Sequence, residues 1–298
     1  MEPPSASDSD SEEGDICGII EADGLALEEL PPLSAGSKAW RLSALQVRAP
    51  QPPCQEDEDG DLVMPRAAAP EYAETGLVGW RIELERLATS QLEQVGLQLW
   101  AGALVLSDLL LTRPELVRGR TVCELGAGLG LCSLLAWRLG AHVLCTDGSA
   151  EAVANCQANL KRNGAGEVPV EVLRWEAPPT PKEGHAGDVW AAEVLLAADV
   201  IYDAAAAHSF AQLVASLLKT KATALYMSLE KRIYFSATTL KSEVSVYPQF
   251  LDDCALLGLE VEVIDLSEIP VHFKYLRSRF YELVAITAKA APPKDTAD

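Results

Sequence analysis

The chain reads as an α/β protein: one doubly wound, mostly parallel, seven-strand Rossmann-like sheet behind an acidic, largely disordered N-terminal arm. Three observations lead there. From about residue 92 the apolar periodicity switches repeatedly between strand and helix character, the signature of βαβ units. A glycine-rich turn holding Gly126, Gly128 and Gly130 falls between one such strand and the next helix. Finally, residues 1–62 carry fifteen acidic side chains against three basic ones, which is twelve of the chain's twenty net negative charges. Such a segment, rich in Pro and Ser, buries too little apolar surface to offset its ordering entropy.

The expected elements follow in order. Residues 1–70 form the arm, with short ordered pieces around Ile16 to Leu30 and Trp40 to Val47, and with candidate phosphoserines at Ser5, Ser7, Ser9 and Ser11. Residues 71–290 form the domain, opening with cap helices over 81–112, of which LQLWAGALVLSDLLL (97–111) is the clearest and stops before Pro114. Strands are expected at Thr121–Leu125, Ala141–Thr146, Val168–Leu173, Val194–Ala198, Thr223–Leu229, Glu260–Ile264 and Phe280–Ala288. Between them lie helices at Leu129–Leu139, from a Ser149 cap to Arg162, at Ala204–Leu218 and at Leu240–Leu257, while residues 291–298 are a frayed tail.

Composition excludes several function classes. The body remains mildly acidic, which opposes tight binding to phosphate backbones and favours a protein substrate with a basic, lysine-bearing surface. The opening residues, rich in Ser, Asp and Glu, do not read as a secretory leader, so none is expected, and the longest apolar stretch is broken by Gln98, Ser107 and Asp108, so no membrane span is expected. Seven cysteines without a CxxC pair read as free thiols in a reducing compartment, the cytoplasm and/or nucleus, and no metal site is expected. The chain is expected to act as a monomer.

The chemistry is concentrated in VCELGAGLGL (122–131). Glycines there let the backbone bend and approach a ligand closely; amides exposed by that bend near position 128 are expected to cradle it, and the helix behind them is expected to offer further free N–H groups. Leu131 stands where a dinucleotide fingerprint has its last glycine, which disfavours a pyrophosphate. Glu124, at the strand end, suits a ligand carrying an amino group and a sulfonium, and Asp147, at the end of the next strand, is placed to accept from ribose hydroxyls. Together these favour S-adenosylmethionine as cofactor, with S-adenosylhomocysteine as product. Taken singly, each has a plain structural reading: a tight turn, a cap, a core residue.

With these residues in place, roughly 92–289 resembles the seven-strand class I methyltransferases, and within them the methyltransferase-like group of protein-lysine methyltransferases, family 16. VCELGAGLGL is similar to that family's first motif, which places Glu124, Gly126, Ala127 and Gly128 at the cofactor, and Asp147 is similar to its second-strand acid. The resemblance further implies that Trp100 lies on a helix packed over the cofactor, that Trp175 sits near the adenine, and that Ala198 touches the cofactor. It matches Asp199-Val-Ile-Tyr202 to an Asp-x-x-Tyr signature, which implies that Asp199 and Tyr202 act at the acceptor side, and SLEKRIYF (228–235) is similar to a narrower branch of the group. The implied activity is S-adenosylmethionine-dependent methylation of a protein lysine. Three other readings stay open: a catalytically silent binding or scaffold module, a methyltransferase acting on a small molecule or nucleic acid, and, for the spacing reason given, least of all a nicotinamide dehydrogenase. Asn155, Cys156 and Asn159 read as packing residues rather than ligands.

Overall fold

The computed structural model describes residues 27–30, 40–53, 55–56, 62–63, 76–88, 92–180, 188–231, 233–236, 241–244 and 246–289. The four candidate phosphoserines, most of the expected arm and the 291–298 tail lie outside the described residues.

In chain order the elements are β1 (Glu28–Leu30), β2 (Trp40–Gln46), β3 (Gln55–Glu56), β4 (Leu62–Val63), β5 (Arg81–Leu87), α1 (Ala101–Thr112), β6 (Thr121–Leu125) and α2 (Leu131–Arg138). They continue with β7 (His142–Asp147), α3 (Ala150–Arg162), β8 (Val170–Val172), β9 (Val194–Ala198), α4 (Ala204–Leu217), β10 (Ala224–Glu230) and β11 (Ile233–Ser236). The last are β12 (Lys241–Val244), α5 (Tyr247–Leu256), β13 (Leu259–Ile264) and β14 (Tyr281–Ala288).

Seven strands form the central sheet in the order β8-β7-β6-β9-β10-β14-β13. The first five run parallel, and β14 is antiparallel to both β10 and β13. All seven expected strands are present. Because β6 pairs with β7 on one side and β9 on the other, the connections diverge there, opening a crevice at the carboxyl ends of the strands.

Two expectations are corrected. Residues 81–87 are a strand, not a cap helix: Ile82, Leu84 and Leu87 are buried, and the residues pair in register with β2 from Trp40↔Leu87 to Gln46↔Arg81. The seven consecutive cross-strand pairs make this stretch a strand, with Ile82 and Leu84 alternating inward at its start. Its partner β2 is the ordered piece expected around Trp40, and with β1 it completes the β1-β2-β5 sheet. Finally, the helix expected from Leu240 begins only at Tyr247, after the β11–β12 hairpin, with Pro248 in its first turn, where a missing N–H costs nothing.

The small sheet is tied to the large one by asparagines one turn apart at the inner face of α3. Glu83 N–H donates to Asn163 Oδ1 (2.9 Å) and Glu85 N–H to Asn159 Oδ1 (2.8 Å), while Asn155 and Asn163 return Nδ2–H bonds to the Glu85 and Glu83 carbonyls. Side chains thus satisfy an edge that would otherwise present bare backbone groups. Asn155 and Asn159 are buried packing residues, as their context indicated.

Helix α1 is apolar on all sides and buries nine of its twelve residues. It packs on α2 and β10, and its buried Asp108 anchors the 265–280 connection. Asp108 accepts from Arg277 (2.6 Å), Tyr275 Oη (2.6 Å) and the His272 amide (2.7 Å). Arg277 spends its remaining donors on Tyr275 Oη and on the Leu266, Ile269 and Pro270 carbonyls, which is the satisfaction a buried guanidinium requires. Among the described residues no helix is long and apolar enough to cross a membrane.

Candidate functional site

All ten candidate residues line one cavity of about 370 Å³ at the carboxyl ends of β6, β7 and β9. Five chain segments meet there: the stretch before α1, the glycine turn, the β7 exit, the β8 exit and the β9 exit.

The glycine turn is built differently from its expected use. Gly126 and Ala127 donate their amides to the Thr146 carbonyl, Gly128 donates to Asp147 Oδ2 (3.0 Å), and Gly130 donates to the Ala127 carbonyl. The expected free amides at these positions are therefore spent on the fold, and what the glycines contribute is room. Gly126 has φ +76°, and a Cβ there would stand 2.8 Å from Val200 Cγ1 and 3.3 Å from Trp175 Cζ2. At Gly128, φ +52°, a Cβ would meet the Gly96 carbonyl at 3.1 Å.

Glu124 is 2% exposed and receives the Ser133 amide on Oε2 (2.8 Å). Burial pushes its carboxyl up to about 7, against the pull of the Ser133 hydrogen bonds. A cationic group arriving in the cavity would reverse that shift. Asp147 holds the Gly128 amide on one oxygen and the Ser149 amide (2.9 Å) on the other; burial raises its pKa while those amides oppose the rise.

Trp100 lies one residue ahead of α1 rather than on it. It is the extended N-cap residue, with Nε1–H donated to the Val95 carbonyl (2.7 Å). The helix starts where it does because Asp199 Oδ2 accepts the Gly102 amide (2.8 Å), satisfying a first-turn donor. Trp175 meets Phe210 edge to face, centroids 4.9 Å apart, and its Nε1 is buried without a hydrogen-bond partner among the described residues. An orphaned donor beside a cavity fits an acceptor on a bound heterocycle.

At the end of β9, Asp199 has φ +55°, the only positive φ among described non-glycine residues. That conformation costs about 1–3 kcal/mol and persists only where its surroundings enforce it. They do: Asp199 N–H donates to the Ser228 carbonyl (2.9 Å), and Asp199 Oδ1 accepts the Glu230 amide (3.0 Å). Asp199 therefore caps α1, while the following helix, α4, is capped by Asp203, which accepts from Ala206 N–H (2.8 Å). Ala198 precedes it in the cavity wall, and Tyr202 is 37% exposed at the mouth.

Gly96, Gln98 and Arg174 also line the cavity and escaped the sequence reading. Gly96 had a signal: it lies four residues before Trp100 in a run that otherwise reads as helix, and its backbone crosses the glycine turn with its Cα-side space filled by Ala152 and Asp147.

A sequence model described as lysine methyltransferase matches residues 82–244. Methyltransferase-like protein 22 of Mus musculus is 32% identical across 90% of this chain and 83% of its own length. The Homo sapiens protein of the same name is 35% identical over 57% of this chain and 46% of its own, about half its length. Protein-lysine N-methyltransferase EFM3 of Chaetomium thermophilum is 34% identical over 56% of this chain and 48% of its own. The narrower likeness of SLEKRIYF agrees with the first two. The chain belongs to the lysine methyltransferase family.

Proposed function

We propose that this protein transfers a methyl group from S-adenosylmethionine to the ε-amino group of a lysine on a protein substrate. The observation carrying the reading is the convergence of Glu124, Asp147, Trp175 and Asp199, from four separate segments, on one cavity in a chain of this family. The residues suit the donor: a buried carboxyl at Glu124 toward a cationic amino group, a half-buried carboxylate at Asp147 toward ribose hydroxyls, an unpaired indole N–H toward a heterocycle, and no Cβ at Gly126 or Gly128 to fill the space.

In this reading Glu124 faces the donor's amino group, Asp147 its ribose, and Trp100 and Trp175 its flanks, while Ala198 leaves room beside the reacting centre. When bound, S-adenosylmethionine supplies a methyl on a sulfonium that a neutral amine takes in line, so the chain's task is alignment and exclusion of water. A lysine arrives protonated, with an ordinary pKa of about 10.4, and must shed its proton first. Asp199 attracts and orients the ammonium, Tyr202 forms the aromatic rim of its channel, and desolvation between them lowers the amine pKa.

The net acidity favours a basic partner surface. The five buried free thiols among the described residues support residence in the cytosol or nucleus. We take the protein to act as a monomer. The test is mass spectrometry of lysine methylation in cells with and without the protein. A lysine whose methylation disappears and returns with the wild-type chain, but not with Asp199→Ala, supports the reading; an unchanged methylation profile contradicts it.

A further inference from the structure

We infer that Ser228 is a positioning residue for methyl transfer, acting through Asp199 at the first turn of α1; this rests on the function proposed above. Three hydrogen bonds close a ring among Gly102 on α1, Ser228 on β10 and Asp199 just beyond β9. Gly102 N–H donates to Asp199 Oδ2 (2.8 Å), the Ser228 hydroxyl donates to the Gly102 carbonyl (2.7 Å), and Asp199 N–H donates to the Ser228 carbonyl (2.9 Å). The ring sits where the wall carrying Trp100 and Ala103 meets the side carrying Asp199 and Tyr202.

Ser228 is fully buried on β10 and does not line the cavity, so it touches neither donor nor acceptor. Its hydroxyl is a side-chain tie from the sheet to the opening turn of α1, which Asp199 grips from the other side. Position 102 admits no side chain, because a Cβ there would overlap the Asp199 carboxylate. The contact is therefore close enough that any drift of α1 moves Asp199 with it. Removing the hydroxyl leaves the Gly102 carbonyl without its tie to β10, so the opening turn of α1 is joined to the acceptor side through Asp199 Oδ2 alone, and its drift pulls on a carboxylate whose other oxygen stays on the Glu230 amide.

The test uses the purified full chain, methyl-tritiated S-adenosylmethionine and, as acceptor, extract of cells lacking this protein. Apparent kcat and KM come from initial rates against extract concentration, and cofactor affinity from calorimetry with S-adenosylhomocysteine. Ser228→Ala is expected to lower kcat on the order of tenfold, since sub-ångström to ångström misplacement is costly, while KM and cofactor affinity stay within about twofold. Exchange of the Gly102 amide, protected by Asp199 in the wild type, is expected to speed up in the same variant. Wild-type kcat in Ser228→Ala, unchanged Gly102 exchange, or a loss confined to thermal stability or cofactor affinity overturns the inference. A wild-type chain that labels nothing overturns the proposed function instead, and this inference with it.

Discussion

The Gly128 amide donates to Asp147 Oδ2 at 3.0 Å, so the carboxylate expected to meet the ribose also locks the glycine turn from the neighbouring strand. Its second oxygen does the same for Ser149 at the start of α3. Replacing Asp147 with Ala strands two partly buried amides, each worth about 1–3 kcal/mol. Asp147→Ala should lose about 2–4 kcal/mol in denaturant unfolding and bind S-adenosylhomocysteine at least tenfold more weakly by calorimetry. Asp147→Asn, which keeps an acceptor oxygen, should lose less stability than Ala while still weakening binding.

Glu124 makes cofactor affinity depend on pH. Its pKa of about 7 in the free protein means a neutral carboxyl predominates below that pH and a charged one above it. A cationic donor favours the charged form, so affinity for S-adenosylmethionine should rise between pH 6 and 8, by at most about tenfold per pH unit, with proton release seen as a buffer-dependent binding enthalpy. Glu124→Gln should bind more weakly at pH 8 and show a flat profile; a pH-dependent profile surviving in that variant would separate the effect from Glu124.

Gly126→Ala places a Cβ 2.8 Å from Val200 Cγ1 in a backbone with φ +76°. The left-handed conformation alone costs about 1–2 kcal/mol, and the overlap adds to it. Thermal unfolding should shift downward accordingly, and cofactor binding should fall further than stability does, because the new methyl stands between Val200 and Trp175 at the cavity wall.

The Asp108–Arg277 pair sits far from the chemistry yet holds α1. Asp108→Asn removes the charge from a fully buried partner of Arg277 and should cost about 3–5 kcal/mol in unfolding free energy. His272, beside them, has a pKa lowered by burial, so the folded state resists its protonation. Stability from this group is present above the ordinary histidine pKa of 6.5 and is lost as pH falls below it. The wild type should therefore melt progressively lower from pH 6.5 toward 5, and His272→Gln should flatten that slope.

Most of the sheet was legible because each parallel strand is a short apolar run bounded by Gly, Asp or Pro, and the cavity was legible because Glu124, Asp147 and Asp199 each stand at a strand's end. What stayed hidden depends on partners distant in sequence. RIELERL (81–87) carries a weak alternation that becomes a strand only when β2 pairs with one edge and asparagines from α3 close the other. Trp100 fell inside a helical pattern, yet the helix starts one residue later because a carboxylate 97 positions away caps it. The turn amides were expected to face a ligand, but Thr146 and Asp147 on the adjacent strand claim them, a pairing that no local pattern encodes.

The central claim is tested most directly by incubating the purified chain with methyl-tritiated S-adenosylmethionine and protein extract, then locating the label by mass spectrometry. We predict incorporation into a lysine side chain of a discrete protein, abolished by Asp199→Ala while S-adenosylhomocysteine still binds. Failure of the wild-type chain to bind either compound calorimetrically, or label appearing only on nucleic acid or small molecules, would contradict the account.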